Sequence, residues 1–513
     1  MFNADAFYEA INLVFTFNTL MWLAIGVFIG VGVGAMPGLT ATTGVALMLP
    51  LTFTMDQAAA LGLLIGLYKG AIYGGSISAI SFATPGTSEA AATVFDGHKL
   101  MQQGKGRKAL LIALYASVTA DFLSDLITIL IAPMLALIAL KFGPSERFWL
   151  MVLAVCLLGA LSGAHLAKGM LSAALGLYFG TMGSDPISSV SRNTFDQWWL
   201  ADGVHLIPLV VGIFAMGAMI EKTVELFRES RRAQELTDTV KKLFTVSGEG
   251  LTFREYISCW KEMGIGLGVG TFVGMLPGLG STVGAFLSYG IAKQVFPEKK
   301  IGTGRLEGVA AAEAGNNATV GPTLVPLLAF GIPGSAVAAL IGAALMLQGA
   351  TPGPRMFELY PTIIYSLFII LLIGNVFNLG IGRIFAFVYA KLGELPAPLL
   401  VPIVMMMAVI GAYSYANNPY DVVIMLCFGM LGYFMRLFKV PEAPLVITFL
   451  LAPPAEENLR RGLLINEGDW ITTLFHSPLA IGLALGVVVL TYASSRMRIM
   501  ERMNAIRDDV HDD

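Results

Sequence analysis

Long runs of apolar residues are the feature of this sequence that most constrains its fold. They recur along the 513 residues, for example from Ala109 to Leu140 and from Tyr360 to Ile381, and each is as long as the roughly 20 residues that a bilayer-spanning helix needs. Overall, 56% of the residues are hydrophobic and only 13% are charged, so a water-soluble fold of this size would lack the polar residues to cover its surface. The sequence therefore predicts an all-α polytopic membrane protein with about 10–14 membrane segments, some of them broken or re-entrant.

Charge and cysteine usage exclude several other classes of protein. Residues 1–19 contain no Lys or Arg, so we expect no cleavable signal peptide and a retained first span. Cys156, Cys259 and Cys427 show no CxxC spacing and predict neither a disulfide framework nor a metal site. A net charge of −3 is too small to indicate a nucleic acid partner. We expect no organic cofactor.

Two pairs of glycine-rich segments indicate an internal duplication. Residues 30–44 align without gaps on residues 270–284, and residues 85–91 resemble residues 333–339. The identical positions of the first pair, given by their first copy, are Gly30, Val33, Gly34, Pro37, Gly38, Leu39, Thr42 and Gly44. Each pair contains a Pro-Gly dipeptide, and the order of the pairs is kept. Chance recurrence in a chain with 57 glycines explains one such pair more easily than two.

The distribution of basic residues predicts that the two copies cross the membrane in opposite directions. Between Val45 and Tyr68 there is no basic residue, and the run from the Pro333 element to Pro354 also has none, with Arg355 directly after it. The equivalent stretches of the other copy carry Lys293, Lys299, Lys300 and Arg305, and Lys99, Lys105, Arg107 and Lys108. Since cytoplasmic loops collect Lys and Arg, the bias reverses as an inverted-topology repeat requires.

Charge also predicts the division of the chain. We predict a first membrane repeat at 1–220, a charged cytoplasmic linker at 221–261, a second membrane repeat at 262–440, and C-terminal membrane segments with a cytoplasmic tail at 441–513. The linker and tail are placed inside because of their basic residues, which include Arg228, Arg231, Arg232, Lys241, Lys242, Arg496, Arg498, Arg502 and Arg507.

The Pro-Gly pairs are candidate binding elements, because Pro and Gly interrupt a helix and leave half-helix termini inside the membrane. Half-helix N-termini attract anions, and unwound carbonyls suit a cation such as Na⁺. The predicted substrate-binding residues are Pro37, Gly38, Thr40, Thr42, Thr43, Pro85, Gly86, Thr87, Ser88, Gly278, Ser281, Thr282, Asn316, Asn317, Pro333, Gly334, Ser335 and Lys69. A Na⁺ ion is predicted near Gly38, Gly278 and Asn317. The alternative is that these Ser and Thr residues only cap half-helices or hold helices together.

Ionisable residues in apolar context are a further signal, because they are costly in a membrane. They are Lys69, Glu89, Asp121, Asp125 and Glu313. Lys69 is the only cation between Ala58 and Ala83. It either meets an anionic substrate or pairs with Asp or Glu in packing.

The alternatives to a transporter are an intramembrane enzyme and a passive channel. The chain has five His residues and no HExxH, and Ala160-Leu161-Ser162-Gly163 with His165 only approximates a GxSG protease motif. No nucleophile, base and orienting residue form a recognisable set, so an enzyme is not predicted. Paired breaks in inverted repeats favour alternating access over a passive channel. A stand-alone carboxylate permease or an ion channel is the alternative that the sequence leaves open.

Several long motifs resemble the TctA family. They are Pro37 to Pro50 (PGLTATTGVALMLP), Tyr73 to Ile80 (YGGSISAI), Thr84 to Thr87 (TPGT), Glu313 to Ala318 (EAGNNA) and Gly331 to Ser335 (GIPGS). The similarity extends from about Phe17 to about Met435. Lys69 stands where this resemblance leads us to expect an uncharged, often aromatic residue.

The resemblance implies the large membrane subunit of a tripartite tricarboxylate transporter in the bacterial inner membrane. Such a subunit works with a small TctB-like membrane subunit and a periplasmic TctC-like solute-binding protein. The implied activity is uptake of citrate or another di- or tricarboxylate, driven by an ion gradient and most simply by Na⁺.

Overall fold

The computed structural model describes residues 3–36, 39–161, 166–185, 190–229, 249–392 and 397–491. Some of the residues singled out above lie outside these ranges. They are Pro37, Gly38, Ser162, Gly163, His165, most of the charged part of the linker, and the basic tail.

The described chain is almost entirely helical. The α-helices are α1 Ala4–Val14, α2 Phe17–Ala35, α3 Ala41–Met48, α4 Gln57–Phe82, α5 Val94–Gln102, α6 Gly106–Ala139, α7 Pro144–Leu161, α8 Leu166–Gly180, α9 Leu206–Val210, α10 Gly217–Glu229, α11 Phe253–Ser258, α12 Trp260–Gly274, α13 Gly280–Val295, α14 Leu306–Asn317, α15 Leu324–Phe330, α16 Ala336–Leu347, α17 Met356–Leu359, α18 Pro361–Leu392, α19 Ala397–Ala416, α20 Pro419–Leu437, α21 Ala443–Ile465, α22 Trp470–Phe475 and α23 Pro478–Thr491. Short 3₁₀ segments lie at Leu49–Thr54, Ser88–Thr93, Trp198–Leu200 and Pro297–Lys299, and a π-helical segment at Val211–Met216 joins α9 to α10. Strands β1 Gly183–Ser184 and β2 Ser191–Arg192 pair antiparallel.

The prediction of an all-α polytopic membrane protein is confirmed. Within the described residues, six helices are long and apolar enough to cross a membrane. They are Phe17–Ala35, Gln57–Phe82, Gly106–Ala139, Leu206–Leu226, Pro361–Ala386 and Pro419–Leu437, with shorter apolar helices at Ala41–Thr54, Ala336–Leu347, Val404–Ser414 and Pro478–Thr491. The inverted orientation of the repeats and the division of the chain into four segments stay predictions.

The chain forms two compact units. The first comprises Met1–Ala139 and His205–Leu437, and the second comprises Leu140–Val204 and Phe438–Asp513. In the second, Gly176 and Gly180 of α8 let that helix approach α21 closely, since a methyl group added at Gly176 would lie 2.1 Å from the Leu445 carbonyl oxygen. All the predicted binding residues belong to the first unit.

Helix α4 is the centre of the first unit. The apolar window of this helix is 100% buried, and α2, α6 and α18 all pack against it. A helix that is apolar on every face is what the interior of a membrane bundle requires. Both Lys69 and the Tyr68 that precedes it lie in this buried stretch.

The duplicated sequence segments are also duplicated in their packing. Methyl groups added at Gly26, Gly30 and Gly34 of α2 would lie 2.3, 2.3 and 2.0 Å from the carbonyl oxygens of Leu63, Leu67 and Ala71 of α4. Methyl groups added at their counterparts Gly266, Gly270 and Gly274 of α12 would lie 2.9, 2.5 and 2.8 Å from the carbonyl oxygens of Ala311 and Gly315 of α14 and of Thr319 just after it. When the alignment of Pro85 with Pro333 is extended towards the N-terminus without gaps, Leu63, Leu67 and Ala71 align with Ala311, Gly315 and Thr319. Small residues therefore set the same close helix approach twice.

Candidate functional site

The first break of the first repeat lies between α2 and α3. Helix α3 begins at Ala41, and the Thr40 side chain caps it by accepting a hydrogen bond from the Thr43 amide at 3.1 Å. Thr43 is buried and donates to the Phe214 carbonyl in the π-helical segment at 3.4 Å. Thr42 follows the cap and is half-buried. Thr40 therefore has the capping role that the alternative interpretation assigned to it.

The second break of that repeat follows α4, which ends in a left-handed residue at Ala83. The Gly86 amide donates to the Gly75 carbonyl at 3.3 Å. A methyl group added at Gly86 would lie 1.9 Å from the Gly34 carbonyl oxygen, so this break packs directly against the end of α2. Thr87 is buried beside Gly75, whereas Ser88 is exposed.

The breaks of the second repeat are joined through their backbones. The Gly278 amide donates to the Gly334 carbonyl at 2.9 Å, and the Gly334 amide donates to the Thr323 carbonyl at 3.2 Å. The second bond repeats the Gly86 to Gly75 bond, because Thr323 and Gly75 are corresponding positions. Ser335 caps α16 by accepting from the Ala338 amide at 3.1 Å. The amides of Gly86, Gly278 and Gly334 therefore have backbone partners. The donors that bind an anion at this site have to come from other groups.

Side chains from both repeats meet at these breaks. The Thr282 hydroxyl donates to the Ser88 hydroxyl at 3.4 Å, and buried Ser281 is hydrogen-bonded to Thr319. The hydroxyl of Tyr68 on α4 interacts with the side chains of Thr323, Ser281 and Ser335. The result is one cluster of hydroxyl groups built from α4, α13 and α16 and from the two breaks.

Comparison with known proteins decides the family. Residues 20–447 match the tripartite tricarboxylate transporter TctA family. This chain belongs to that family. It is therefore a multi-pass membrane transporter component of tricarboxylate transport, as the resemblance of its motifs implied.

Two similar proteins of Agrobacterium vitis are also known by sequence. The "Uncharacterized 52.8 kDa protein in TAR-I ttuC' 3'region" is 34% identical over 477 residues, which are 92% of this chain and 93% of that protein. The "Uncharacterized protein in TAR-II ttuC' 3'region" is 36% identical over 230 residues, which are 44% of this chain and 95% of that protein. No solved structure matches the chain.

Asn316 of this TctA family protein is a fully buried polar residue without a hydrogen-bond partner. Both its amide nitrogen and its amide oxygen are unpartnered among the described residues. Buried polar groups are normally paired, so such a group marks the place of a ligand, an ion or a water molecule. Asn316 occupies the position in α14 that Tyr68 occupies in α4. Sequence reasoning singled out Asn316 but missed Tyr68, although the repeat alignment relates the two.

Asn317 belongs to a neighbouring cluster around the carboxylate of Glu313. The Asn317 side-chain amide donates to Ser117 Oγ at 2.7 Å and to the Glu313 carbonyl at 3.1 Å. The Glu313 carboxylate accepts from Ser76 at 2.5 Å and from Ser117 at 2.9 Å, and Thr93 donates to it as well. Three hydroxyl donors supply the hydrogen bonds that a buried carboxylate needs.

Lys69 takes part in an ion-pair cluster of its own. Its ammonium group lies 2.7 Å from Asp121 Oδ2 and 2.8 Å from Asp125 Oδ2, and all three side chains are buried. Of the two interpretations left open by the sequence, pairing with Asp describes these contacts. Direct contact between Lys69 and an anionic substrate stays a prediction.

Proposed function

We propose that this chain is the translocating subunit of a tripartite secondary transporter that imports a di- or tricarboxylate such as citrate. Its partners are a small TctB-like membrane subunit and a periplasmic TctC-like binding protein that delivers the substrate, and its place is the bacterial inner membrane. The proposal is supported by membership of the TctA family over residues 20–447. Na⁺ is the proposed coupling ion.

The observation that carries the proposal is the meeting of hydroxyl groups from both repeats at the Pro-Gly breaks. A carboxylate leaves water only if several donors replace its hydration shell. Thr282 and Ser88 from opposite repeats lie 3.4 Å apart, and Tyr68 interacts with Ser281 and Ser335. A site shared by two repeats suits alternating access, since motion of one repeat against the other opens it to either side.

We assign some groups of the site to the carboxylate anion and others to the Na⁺ cation. We assign the carboxylate to the hydroxyls of Thr42, Thr87, Thr282 and Ser335 and to the unpartnered amide of Asn316. The Asn317 amide nitrogen already donates to Ser117 and to the Glu313 carbonyl, so this side chain serves the cation through its Oδ1. Na⁺ at carbonyl oxygens near Gly38, Gly278 and Asn317 offsets the negative charge. Binding the two together reduces the electrostatic cost of entry, which explains why uptake of the anion would need the cation.

Reconstitution tests the proposal most directly. The chain is placed in proteoliposomes with the small subunit and a loaded binding protein, and uptake of labelled di- and tricarboxylates is measured with and without a Na⁺ gradient. We expect flux only from the complete assembly and only with the gradient. Full flux from the chain alone would instead identify a stand-alone permease, and flux that saturates with neither solute would identify a channel.

A matched pair of variants tests the site within that assay. Thr282→Ala removes the hydroxyl that faces Ser88, and Thr282→Ser keeps it. A lost hydrogen bond to a charged ligand costs about 1.5–3 kcal/mol, so Thr282→Ala should raise the half-saturating substrate concentration roughly tenfold to hundredfold. Thr282→Ser should stay near the wild type. Equal values for the two variants would remove Thr282 from the site.

A further inference from the structure

The Lys69 cluster carries an unbalanced charge inside the protein. Lys69 bridges Asp121 and Asp125 through one oxygen of each, at 2.7 and 2.8 Å. The exposed fraction of each of the three side chains is 1% or less. One ammonium and two carboxylates sum to one net negative charge, and a buried net charge is costly because no water solvates it.

The remaining oxygens of the cluster have no partner that would relieve this charge. Asp121 Oδ1 and Asp125 Oδ1 are buried without a hydrogen-bond donor among the described residues. Asn375 of α18 is aimed into the same cluster, since its amide nitrogen donates to Asp125 Oδ2 at 2.7 Å. Its carbonyl oxygen Oδ1 is also buried and, within the described chain, unpartnered. The unpartnered atoms of the cluster are all acceptors, so a further hydrogen-bond donor would satisfy one of them.

We propose that Lys69, Asp121 and Asp125 form a proton-binding site that couples transport by this chain to pH. The proton enters from bulk water, binds one of the two spare carboxylate oxygens as an O–H group, and returns to water when it leaves. It neutralises the cluster and turns an orphan acceptor into a donor for which Asn375 offers a carbonyl oxygen.

A proton fits this place better than a metal ion. The Lys69 ammonium already occupies the bridging position between the two carboxylates, where a cation would otherwise lie. Among the described residues, no group of three or more His, Cys, Asp or Glu side chains is placed to hold a metal ion. Na⁺ is therefore left to the Pro-Gly breaks, and the two cations have separate sites.

Other ionisable groups lie on the helices that pack around the cluster. Tyr73 lies one helical turn after Lys69 on α4, and it interacts electrostatically with Tyr115 of α6 and Glu313 of α14. Three hydroxyl groups already satisfy Glu313. Helix α18 contributes the neutral amides of Asn375 and Asn378. Glu313 is a second fully buried carboxylate, so the test has to distinguish a proton on Glu313 from one on the Lys69 cluster.

The position of Lys69 connects the cluster to the hydroxyl groups at the breaks. Lys69 directly follows Tyr68 on α4, and Tyr68 interacts with Ser281, Thr323 and Ser335. The Lys69 stem packs against α18, where a methyl group added at Gly374 would lie 3.1 Å from Lys69 Cδ. Movement of α4 relative to α6 would therefore change both the ion pairs and the environment of Tyr68.

Thermal unfolding of the full-length chain in detergent tests the site without any substrate. If the native state holds a proton that the unfolded chain releases at neutral pH, stability falls as pH rises, by up to tenfold in the unfolding equilibrium per pH unit. Asp121→Asn and Asp125→Asn each leave a neutral ion pair, so each should lose this one-proton slope relative to the wild type. The double variant Lys69→Met/Asp121→Asn leaves a lone buried carboxylate and should keep it.

Transport provides a second arm, which rests on the proposed function. In the reconstituted assembly at fixed Na⁺, an imposed proton gradient should stimulate uptake by the wild type but not by Asp121→Asn. If the unfolding slopes behave as expected and no variant or wild type transports any carboxylate, the proton site stands and the proposed function fails.

The infrared band of a protonated carboxyl group provides a readout that needs no variant to fold. We expect this band in the wild type at neutral pH and its loss in alkali. Its absence would overturn the proposal, as would an unchanged unfolding slope in both single variants. A slope that Glu313→Gln abolishes and Asp121→Asn keeps would also overturn it, because the proton would then belong to Glu313.

Discussion

The amide of Gly278 donates a hydrogen bond to the carbonyl of Gly334 at 2.9 Å. This bond joins two Pro-Gly breaks that are far apart in the sequence and belong to the same repeat. In the other repeat, Gly86 packs against Gly34 so closely that an added methyl group would lie 1.9 Å from its carbonyl oxygen. Each repeat therefore brings its two interrupted helices to one place, which is where the hydroxyl groups gather.

Close glycine packing predicts which substitutions the bundle tolerates. Gly30→Ala and Gly270→Ala would place a methyl group 2.3 and 2.5 Å from a carbonyl oxygen, so each should lower the free energy of unfolding by about 1–3 kcal/mol. Gly32→Ala and Gly268→Ala lie on the same helices with nothing within 4 Å and should be neutral or slightly stabilising, since Ala favours a helix. Thermal unfolding in detergent measures all four. Equal losses for Gly30→Ala and Gly32→Ala, or for Gly270→Ala and Gly268→Ala, would contradict the close packing.

Two tyrosines on α4 should respond differently to loss of their hydroxyls. Tyr68→Phe removes a group that interacts with Thr323, Ser281 and Ser335, and we expect a roughly tenfold higher half-saturating substrate concentration. Tyr73 is buried, and its hydroxyl has no partner within the described chain, so Tyr73→Phe should be neutral or stabilising. Uptake kinetics and unfolding temperatures distinguish them. An unchanged concentration dependence in Tyr68→Phe would exclude that hydroxyl from the site.

At the start of α3, substitutions should distinguish a hydroxyl that caps the helix from a hydroxyl that binds substrate. Thr40→Ala removes the cap and should cost about 1 kcal/mol of stability. Thr42→Ala leaves the cap intact and should instead raise the half-saturating concentration of substrate or Na⁺. Ser335→Ala should do both, because Ser335 caps α16 at the other break. If neither Thr42→Ala nor Ser335→Ala altered the dependence on either solute, the breaks would serve packing alone.

The inverted topology is tested by labelling single cysteines from outside the cell. Asp56, Lys105 and Glu298 are exposed in the structure, and the three native cysteines, which are free thiols, are first replaced by Ser. Asp56→Cys should react with an impermeant thiol reagent, whereas Lys105→Cys and Glu298→Cys should react only after the membrane is opened. Labelling of all three positions from outside would refute the opposite orientation of the repeats.

The sequence alone determined the class and the family, and it indicated the duplication. Apolar runs of membrane length and a low charged fraction leave few alternatives to a helical membrane protein, because both are properties of composition. The motifs around Pro37, Pro85 and Pro333 carried the family. The positions related by the glycine alignment also pack in the same way in the structure, because a glycine that allows a close helix approach does so locally.

Only the tertiary structure decided which polar groups meet. Lys69 pairs with Asp121 and Asp125, and Glu313 takes hydroxyl donors from three other segments. Tyr68 was not predicted as a site residue from the sequence, since a tyrosine in a buried apolar helix is an ordinary packing residue. The partner of a buried side chain depends on how helices that are distant in sequence cross and rotate against one another, and no local pattern encodes that geometry.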